Sequence, residues 1–152
     1  MPAYFLDTSA LAKLYHHELG SDRVESLAQT PGAQLIISEL SLIELESVFA
    51  AKVRTRVAAR GSLDHVRGLF SADIARGNLD VVLLERRHLQ KAANLVRQHS
   101  VDQALRTLDA IQLSVALDLH QRGVTSVIAA SDRHLCIVAA LEGLTVINPL
   151  TP

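Results

Sequence analysis

The sequence predicts one α/β domain, with a central parallel sheet of about five short strands flanked by helices on both faces. Two observations support this fold class. Short apolar runs alternate along the chain with longer segments of helical periodicity, which is the pattern of a parallel sheet covered on both faces. No stretch rich in Pro, Gly or Ser divides the 152 residues, and this length suits one domain. We therefore expect residues 1–152 to form a single domain.

The strands and helices are placed by these two patterns. Five short apolar runs are predicted as strands, over residues 3–6, 34–37, 80–84, 126–130 and 144–147. Apolar residues at helical spacing predict helices over residues 9–17, 21–29, 41–59, 62–75, 86–99, 105–121 and 133–142. Gly61, Gly123 and Gly143 stand just past three of these helices, where glycine commonly ends a helix.

Composition and charge exclude several classes of protein. Hydrophobic residues make up 49% and charged residues 20%, as in globular proteins and unlike disordered ones. The formal net charge of -1 excludes a protein that coats nucleic acid through overall positive charge. No apolar run reaches the roughly 18 residues of a membrane span, and the first residues do not form a signal peptide. Together with the single Cys136, this favours a cytoplasmic protein with no membrane association.

Two acidic residues follow predicted strands. Asp7 comes directly after the first strand, and Asp132 comes shortly after the fourth. Ligands of open parallel sheets bind beyond the carboxyl ends of the strands, so both residues are candidates for a functional site. The alternative is that each acid only caps the helix that follows it.

Two further acids lie within apolar helices. Glu44 and Asp109 would cost free energy there unless water, a cation or a hydrogen-bond donor compensates them. They could instead face solvent, and Glu46 could replace Glu44 on periodicity alone. If the four acids converge, a hard divalent cation such as Mg²⁺ or Mn²⁺ would offset their repulsion. Such a site can activate water and hold phosphate oxygens for hydrolysis, but the spacing leaves open whether they converge.

Four segments resemble PIN-domain proteins, and most closely the VapC toxins of bacterial toxin–antitoxin pairs. They are FLDTSALAKLY, LSLIELESVFAAK, LRTLDAIQLSVAL and AASDRHLCIVAALEGLTVINP, in the order in which the family has them. The resemblance implies a small α/β domain with Mg²⁺-dependent endoribonuclease activity towards RNA. It also implies neutralisation by a cognate VapB-type antitoxin encoded beside the toxin, and a homodimer.

By position, the resemblance assigns Asp7, Glu44, Asp109 and Asp132 as catalytic metal ligands. It gives supporting roles to two hydroxyl residues, Ser9 and Ser131. The chain departs from many relatives at Gln112, where they carry His, and we expect that His to be non-essential.

A locally basic segment follows Glu44 and comprises Lys52, Arg54, Arg56, Arg60 and Arg67. It is either a solvated helix face or a surface for RNA phosphates or an antitoxin tail, with Arg54, Arg56 and Arg60 as the candidate contacts.

Predictions are also made for three single residues in the last third of the chain, His134, Cys136 and Asp118. His134 could touch the substrate because it lies two residues from Asp132. Cys136 is expected to be a buried, inert thiol, and Asp118 is expected in solvent.

Two other functions remain open from the sequence. One is a PIN-domain RNA-processing nuclease without an antitoxin. The other is a non-catalytic module that uses the acidic groove only to bind a partner.

Overall fold

The computed structural model describes all 152 residues. Five strands form, β1 (Ala3–Leu6), β2 (Gln34–Ser38), β3 (Asp80–Val82), β4 (Val127–Ala129) and β5 (Thr145–Ile147). Seven α-helices surround them, α1 (Thr8–Leu11), α2 (Ser21–Ala28), α3 (Leu40–Arg54), α4 (Ser62–Ala75), α5 (Arg86–His99), α6 (Thr107–Gln121) and α7 (Arg133–Leu141). None of these helices has the length and apolar character needed to cross a membrane.

All neighbouring strands of the sheet are parallel, in the order β3-β2-β1-β4-β5. In the centre, Phe5 of β1 pairs with Ile36 of β2 on one side and with Ile128 of β4 on the other. The chain winds outwards from β1 to β3 and then crosses back to β4 on the opposite side of β1. The predicted fold class is therefore confirmed.

The two faces of the sheet build two separate cores. Phe5, Ile36 and Ile128 point to one face and pack with buried residues of α5, α6 and α7. Leu6 and Ile37 point to the other face and pack with residues of α1, α2, α3 and α4. This alternation follows from the two-residue period of a strand. Because both faces are covered, the inner residues of the strands are apolar on both sides.

Two predicted helices run more than two residues beyond the observed ones. The first was expected to reach residue 17, but α1 tightens into a 3-10 turn (Ala12–Leu14) and ends. The third was expected to reach residue 59, but α3 ends at Arg54. There the Val57 and Arg56 N–H groups donate to the carbonyls of Lys52 and Val53, and Arg56 has a φ of 62°. This is a Schellman motif with arginine where glycine is usual, so the sequence carried no ordinary stop signal.

Candidate active site

The candidate site lies at the carboxyl edge of the sheet, between the parallel strands β1 and β4, where the order of the strands reverses. Asp7 directly follows β1, and its backbone N–H donates to the Ala129 carbonyl at the end of β4 (3.0 Å). Asp132 lies three residues beyond Ala129 and begins α7. Such a switch point leaves a crevice at the strand ends, which is where open α/β sheets bind ligands.

Asp7 is the most buried acid of the site, with 4% of its surface exposed. The Ser9 hydroxyl donates to Asp7 Oδ2 (2.6 Å), and the Ser9 N–H donates to the same oxygen (3.2 Å). Burial raises the pKa of Asp7 to about 6, and the charges of Asp109 and Glu44 add to this rise, while the Ser9 hydrogen bonds oppose it. The Ser131 N–H donates to Ser9 Oγ (3.0 Å), so Ser131 acts on Asp7 through Ser9. Asp7 therefore caps α1 and also lies close to the negative charges of Asp109 and Glu44.

Glu44 is held in place by a buried polar network. Gln112 Nε2 donates to Glu44 Oε1 (2.7 Å), and the Thr8 hydroxyl donates to the same oxygen (3.0 Å). Gln112 Nε2 also lies within hydrogen-bond distance of Thr8 Oγ1 (3.1 Å) and of Ser41 Oγ (3.0 Å). The carboxylate fixes the amide orientation, since a flipped Gln112 would bring its carbonyl oxygen against Glu44 Oε1. The network directs Oε1 of Glu44 towards α1 and α6.

Asp109 and Asp132 are bridged by an arginine. Arg106 Nε donates to Asp109 Oδ2 (3.4 Å), and Arg106 Nη2 donates to Asp132 Oδ2 (3.3 Å). The other oxygen of Asp132 caps α7 by accepting from the Leu135 N–H (2.9 Å). Burial raises the pKa of Asp109, and the charge of Asp132 adds to the rise, while Arg106 opposes it. A pocket of about 250 Å³ opens beside these groups, lined by Glu44, Arg106, Thr107, Leu108 and Asp109.

The structure brings the four acids to one edge of the sheet, but no three acidic, His or Cys side chains form a ready-made metal-binding cluster. The acids are instead held apart by hydrogen bonds to different donors. Ser9 donates to Asp7, Gln112 donates to Glu44, and Arg106 donates to Asp132. The donor set nevertheless fits a hard divalent cation, because all its ligating atoms are oxygens and the charges of neighbouring acids add to the raised pKa of Asp7 and of Asp109. In addition, the buried Ser131 Oγ has no hydrogen-bond partner.

Comparison with known proteins identifies the family. The family model for the PIN domain matches residues 4–147. The chain belongs to the PIN-domain family. Comparison with curated protein sequences gives no match.

Solved structures of low sequence identity share this PIN fold. VapC20 of Mycobacterium tuberculosis, a toxin that cleaves the sarcin-ricin loop, has a TM-score of 0.66 at 17% identity, covering 96% of this chain and 99% of that one. VapBC2 of Rickettsia felis, bound to a promoter DNA fragment, has a TM-score of 0.60 at 16% identity, covering 96% and 98%. A toxin–antitoxin complex of Klebsiella pneumoniae has a TM-score of 0.58 at 15% identity, covering 96% and 97%. The whole PIN domain therefore has the fold of these three structures.

The basic segment of this PIN domain divides into paired and unpaired residues. Lys52 pairs with Glu18 (2.7 Å), and Arg67 pairs with Glu46 (2.8 Å). The Glu46–Arg67 pair lies at the surface, which removes Glu46 as a replacement for Glu44. Three exposed arginines of the segment form no ion pair, namely Arg54, Arg56 and Arg60.

His134 lies in a polar contact with the loop that leads to α6. It is half-buried, and its Nδ1 lies 3.2 Å from Gln103 Oε1 and 3.4 Å from the Ala104 nitrogen. The structure therefore gives His134 a role in fixing this loop, next to Arg106.

Two expectations about single residues are corrected. Asp118 is not in solvent, because its side chain is only 14% exposed. Its Oδ2 lies 3.1 Å from Arg87, 3.3 Å from His88 and 3.4 Å from Arg122. Cys136 is half-buried rather than buried. Burial, with the charges of Asp132 and Asp7, raises the pKa of its thiol to about 11, which keeps it protonated and unreactive.

The sequence interpretation missed four residues that position the acids, namely Thr8, Ser41, Arg106 and Gln112. One signal was available, because Gln112 lies three residues after Asp109 and so shares its helix face, within a strongly apolar stretch. The contacts of Thr8, Ser41 and Arg106 depend on the packing of separate helices, which the local sequence does not reveal.

Proposed function

We propose that this PIN domain is a metal-dependent endoribonuclease that hydrolyses RNA phosphodiester bonds, and that it acts in the cytoplasm as the toxin of a VapBC-type pair. The observation that carries the proposal is the gathering of Asp7, Glu44, Asp109 and Asp132 at the carboxyl edge of the sheet. Their charges are close enough that Glu44 and Asp109 raise the pKa of Asp7. Membership of the PIN family and the VapC-type fold support the same activity.

The chain's own residues would bind and orient the reacting groups. Asp7, Glu44, Asp109 and Asp132 would hold Mg²⁺, or Mn²⁺ in its place, and the bound ion would supply an activated water and stabilise charge on the phosphate oxygens. Ser9 fixes Asp7 in the orientation seen here. Gln112 and Thr8 do the same for Glu44. Ser131 supports the site through its N–H to Ser9.

RNA would approach over the exposed arginines Arg54, Arg56 and Arg60, whose guanidinium groups are free to pair with phosphates. His134 would act on RNA only indirectly, by holding the loop before Arg106.

A VapB-type antitoxin would use an apolar groove between α3 and α4. Six apolar residues line it, Leu42, Leu45, Phe49, Leu63, Val66 and Phe70. A groove of this kind accepts the apolar face of an amphipathic segment. The toxin–antitoxin complexes among the structural relatives support this partner, and we also propose a homodimer by the family resemblance.

The decisive experiment is the Asp109→Asn substitution. Asparagine has nearly the same size and keeps an oxygen for Arg106, so the fold should remain. It removes an anionic ligand for a hard cation, and we expect RNA cleavage to fall by at least about a hundredfold, the scale of losing one strong electrostatic element. Cleavage of a labelled RNA with Mg²⁺ measures the effect, and circular dichroism melts check folding.

Asp22→Asn is the matched control. Asp22 is exposed and its carboxylate has no hydrogen-bond or ion-pair partner, so this variant should cleave normally. Asp118, on the same helix as Asp109, would be an unsuitable control because three basic side chains contact it. Near-wild-type cleavage by the folded Asp109→Asn protein would contradict the assigned site. No cleavage by the wild type with either Mg²⁺ or Mn²⁺ would favour the non-catalytic binding module.

Coexpression separates a toxin from an RNA-processing nuclease. If the proposal is right, expression of the protein alone should arrest growth, and expression with the neighbouring gene should restore growth and give a purified complex. Harmless expression of a fully active enzyme would favour the RNA-processing function.

A further inference from the structure

Arg106 stands directly before α6 and is the one basic side chain that contacts the acids of the site. Its backbone at the helix start is extended (φ -78°, ψ 157°), and its side chain is 74% exposed. The guanidinium nevertheless turns back over the protein to reach both Asp109 (3.4 Å) and Asp132 (3.3 Å). An exposed arginine with this freedom is drawn there by the two carboxylates.

Arg106 makes two contacts with the acids, and both are weak. Both distances lie at the long end for charge-assisted hydrogen bonds, which are usually about 2.7–2.9 Å. Ion pairs of largely exposed side chains contribute little to stability because water screens them. Arg106 therefore compensates two crowded carboxylates without being locked in place by the fold.

A divalent cation held by Asp109 and Asp132 would compete with Arg106 for the same two carboxylate groups. Asp109 Oδ2 and Asp132 Oδ2 both accept from Arg106, and the remaining Asp132 oxygen is engaged by the Leu135 N–H. The guanidinium is charged at all working pH values, so it would also repel an arriving cation. In the contacts seen here, Arg106 therefore opposes the binding of a cation to this half of the site.

We infer that Arg106 is a built-in counter-ion that holds Asp109 and Asp132 in the metal-free protein and is displaced when a divalent cation binds. The inference rests on the proposed function, in that it takes these two acids as metal ligands. Because the side chain is mostly in solvent, it can leave the carboxylates without disturbing the core. Arg106 is thus a positioning residue that lowers the affinity of the site for metal.

The test is Mn²⁺ binding to the metal-free protein, measured by calorimetry without RNA. Arg106→Gln removes the competing charge, and we expect Mn²⁺ to bind about three- to tenfold more tightly, the range that two weak ion pairs span. A merely structural arginine would leave the affinity unchanged or lower it on removal. Unchanged or weaker Mn²⁺ binding by Arg106→Gln would overturn the inference.

Arg122→Gln is the matched control. Arg122 lies just after the other end of α6, is 54% exposed, and pairs with Asp118 at 3.4 Å. The variant removes the same charge from a similar ion pair away from the four acids. Its Mn²⁺ affinity should equal that of the wild type, and an equal gain in both variants would overturn the inference by showing only an effect of net charge.

A second measurement uses the wild-type protein, so it does not depend on how a variant folds. Addition of Mg²⁺ should shift the side-chain Nε–H resonance of Arg106 in ¹⁵N NMR spectra, as the contact with Asp109 is lost. An unmoved resonance at saturating Mg²⁺ would overturn the inference. RNA cleavage by the wild type is assayed separately: tighter Mn²⁺ binding by Arg106→Gln, with no RNA cleavage by the wild type, would support the inference and contradict the proposed nuclease function.

Discussion

At the scale of single residues, Asp7 shows that burying a carboxylate in this fold costs free energy. Its carboxylate is almost fully buried, and two hydrogen bonds from Ser9 do not offset the loss of water, so its pKa rises from 3.8 to about 6. A folded-state pKa above that of the unfolded chain means that folding favours the protonated acid. In the metal-free protein, the associated stability is present below about pH 4 and is lost as the pH rises through about 6.

The Asp7→Asn variant should remove this pH dependence. Asparagine is neutral at every pH and can still accept from Ser9, so the variant should be more stable than the wild type near pH 7.5 by about 2–3 kcal/mol, the equivalent of the pKa shift. The difference should shrink towards zero near pH 4. Urea unfolding with a chelator present, at several pH values, measures it. Asp22→Asn should follow the wild type, and a stability gap for Asp7→Asn that is constant with pH would contradict the burial argument.

At the scale of elements, α3 ends in a Schellman motif whose left-handed residue is an arginine rather than the usual glycine. The Schellman motif needs a left-handed residue, and Arg56 is the only non-glycine residue in the chain with a positive φ. A side chain with a Cβ pays about 1–2 kcal/mol for this conformation. The basic segment therefore keeps an arginine at a position where glycine would be more stable, which agrees with a role for Arg56 in binding RNA.

Arg56→Gly should therefore stabilise the protein by about 1 kcal/mol, because glycine adopts a positive φ without strain. It should also weaken RNA binding if Arg56 contacts phosphate. Thermal melts and RNA binding under the same buffer conditions measure both effects. Arg60→Gly is the control, because residue 60 has no positive φ and glycine there should give no gain in stability. Equal melting temperatures for Arg56→Gly and the wild type would show that the turn is not strained.

Features with local causes could be predicted from the sequence, whereas contacts between residues far apart in the chain could not. The bounds of α5 could be predicted to the residue, since an apolar face at helical spacing is a local property. The placement of Asp7 and Asp132 at strand ends followed from a general rule of parallel sheets. The hydrogen bond from Gln112 to Thr8 joins residues 104 positions apart, and the bridge from Arg106 to Asp132 joins different helices. No local pattern encodes such contacts, so Gln112 appeared in the sequence only as a departure from the family.

At the scale of the whole molecule, the candidate site exists only when the chain is folded. Its acids come from the end of β1, from α3, from α6 and from the start of α7, and the unfolded chain would scatter them. Folding buries Asp7 and Asp109 and also brings other acids close to them. Both effects oppose folding, and together they raise the pKa of the two acids. A cation that binds only the gathered acids reverses this cost, so metal binding and stability are linked.

Mg²⁺ should therefore raise the melting temperature of the wild-type protein. At a concentration about ten times the dissociation constant, binding adds about 1.4 kcal/mol to the free energy of unfolding. For a chain of this size, that corresponds to roughly 3–6 °C. Calorimetry with up to about 10 mM Mg²⁺ or Mn²⁺, the range expected for a site of few carboxylates, measures the shift.

Asp109→Asn should lose most of this shift in melting temperature because an amide is a poor ligand for a hard cation, whereas Asp22→Asn should keep it. A wild type that melts at the same temperature with and without both metals would count against these acids as a metal site, and an equal shift in Asp109→Asn would place the ion elsewhere on the molecule.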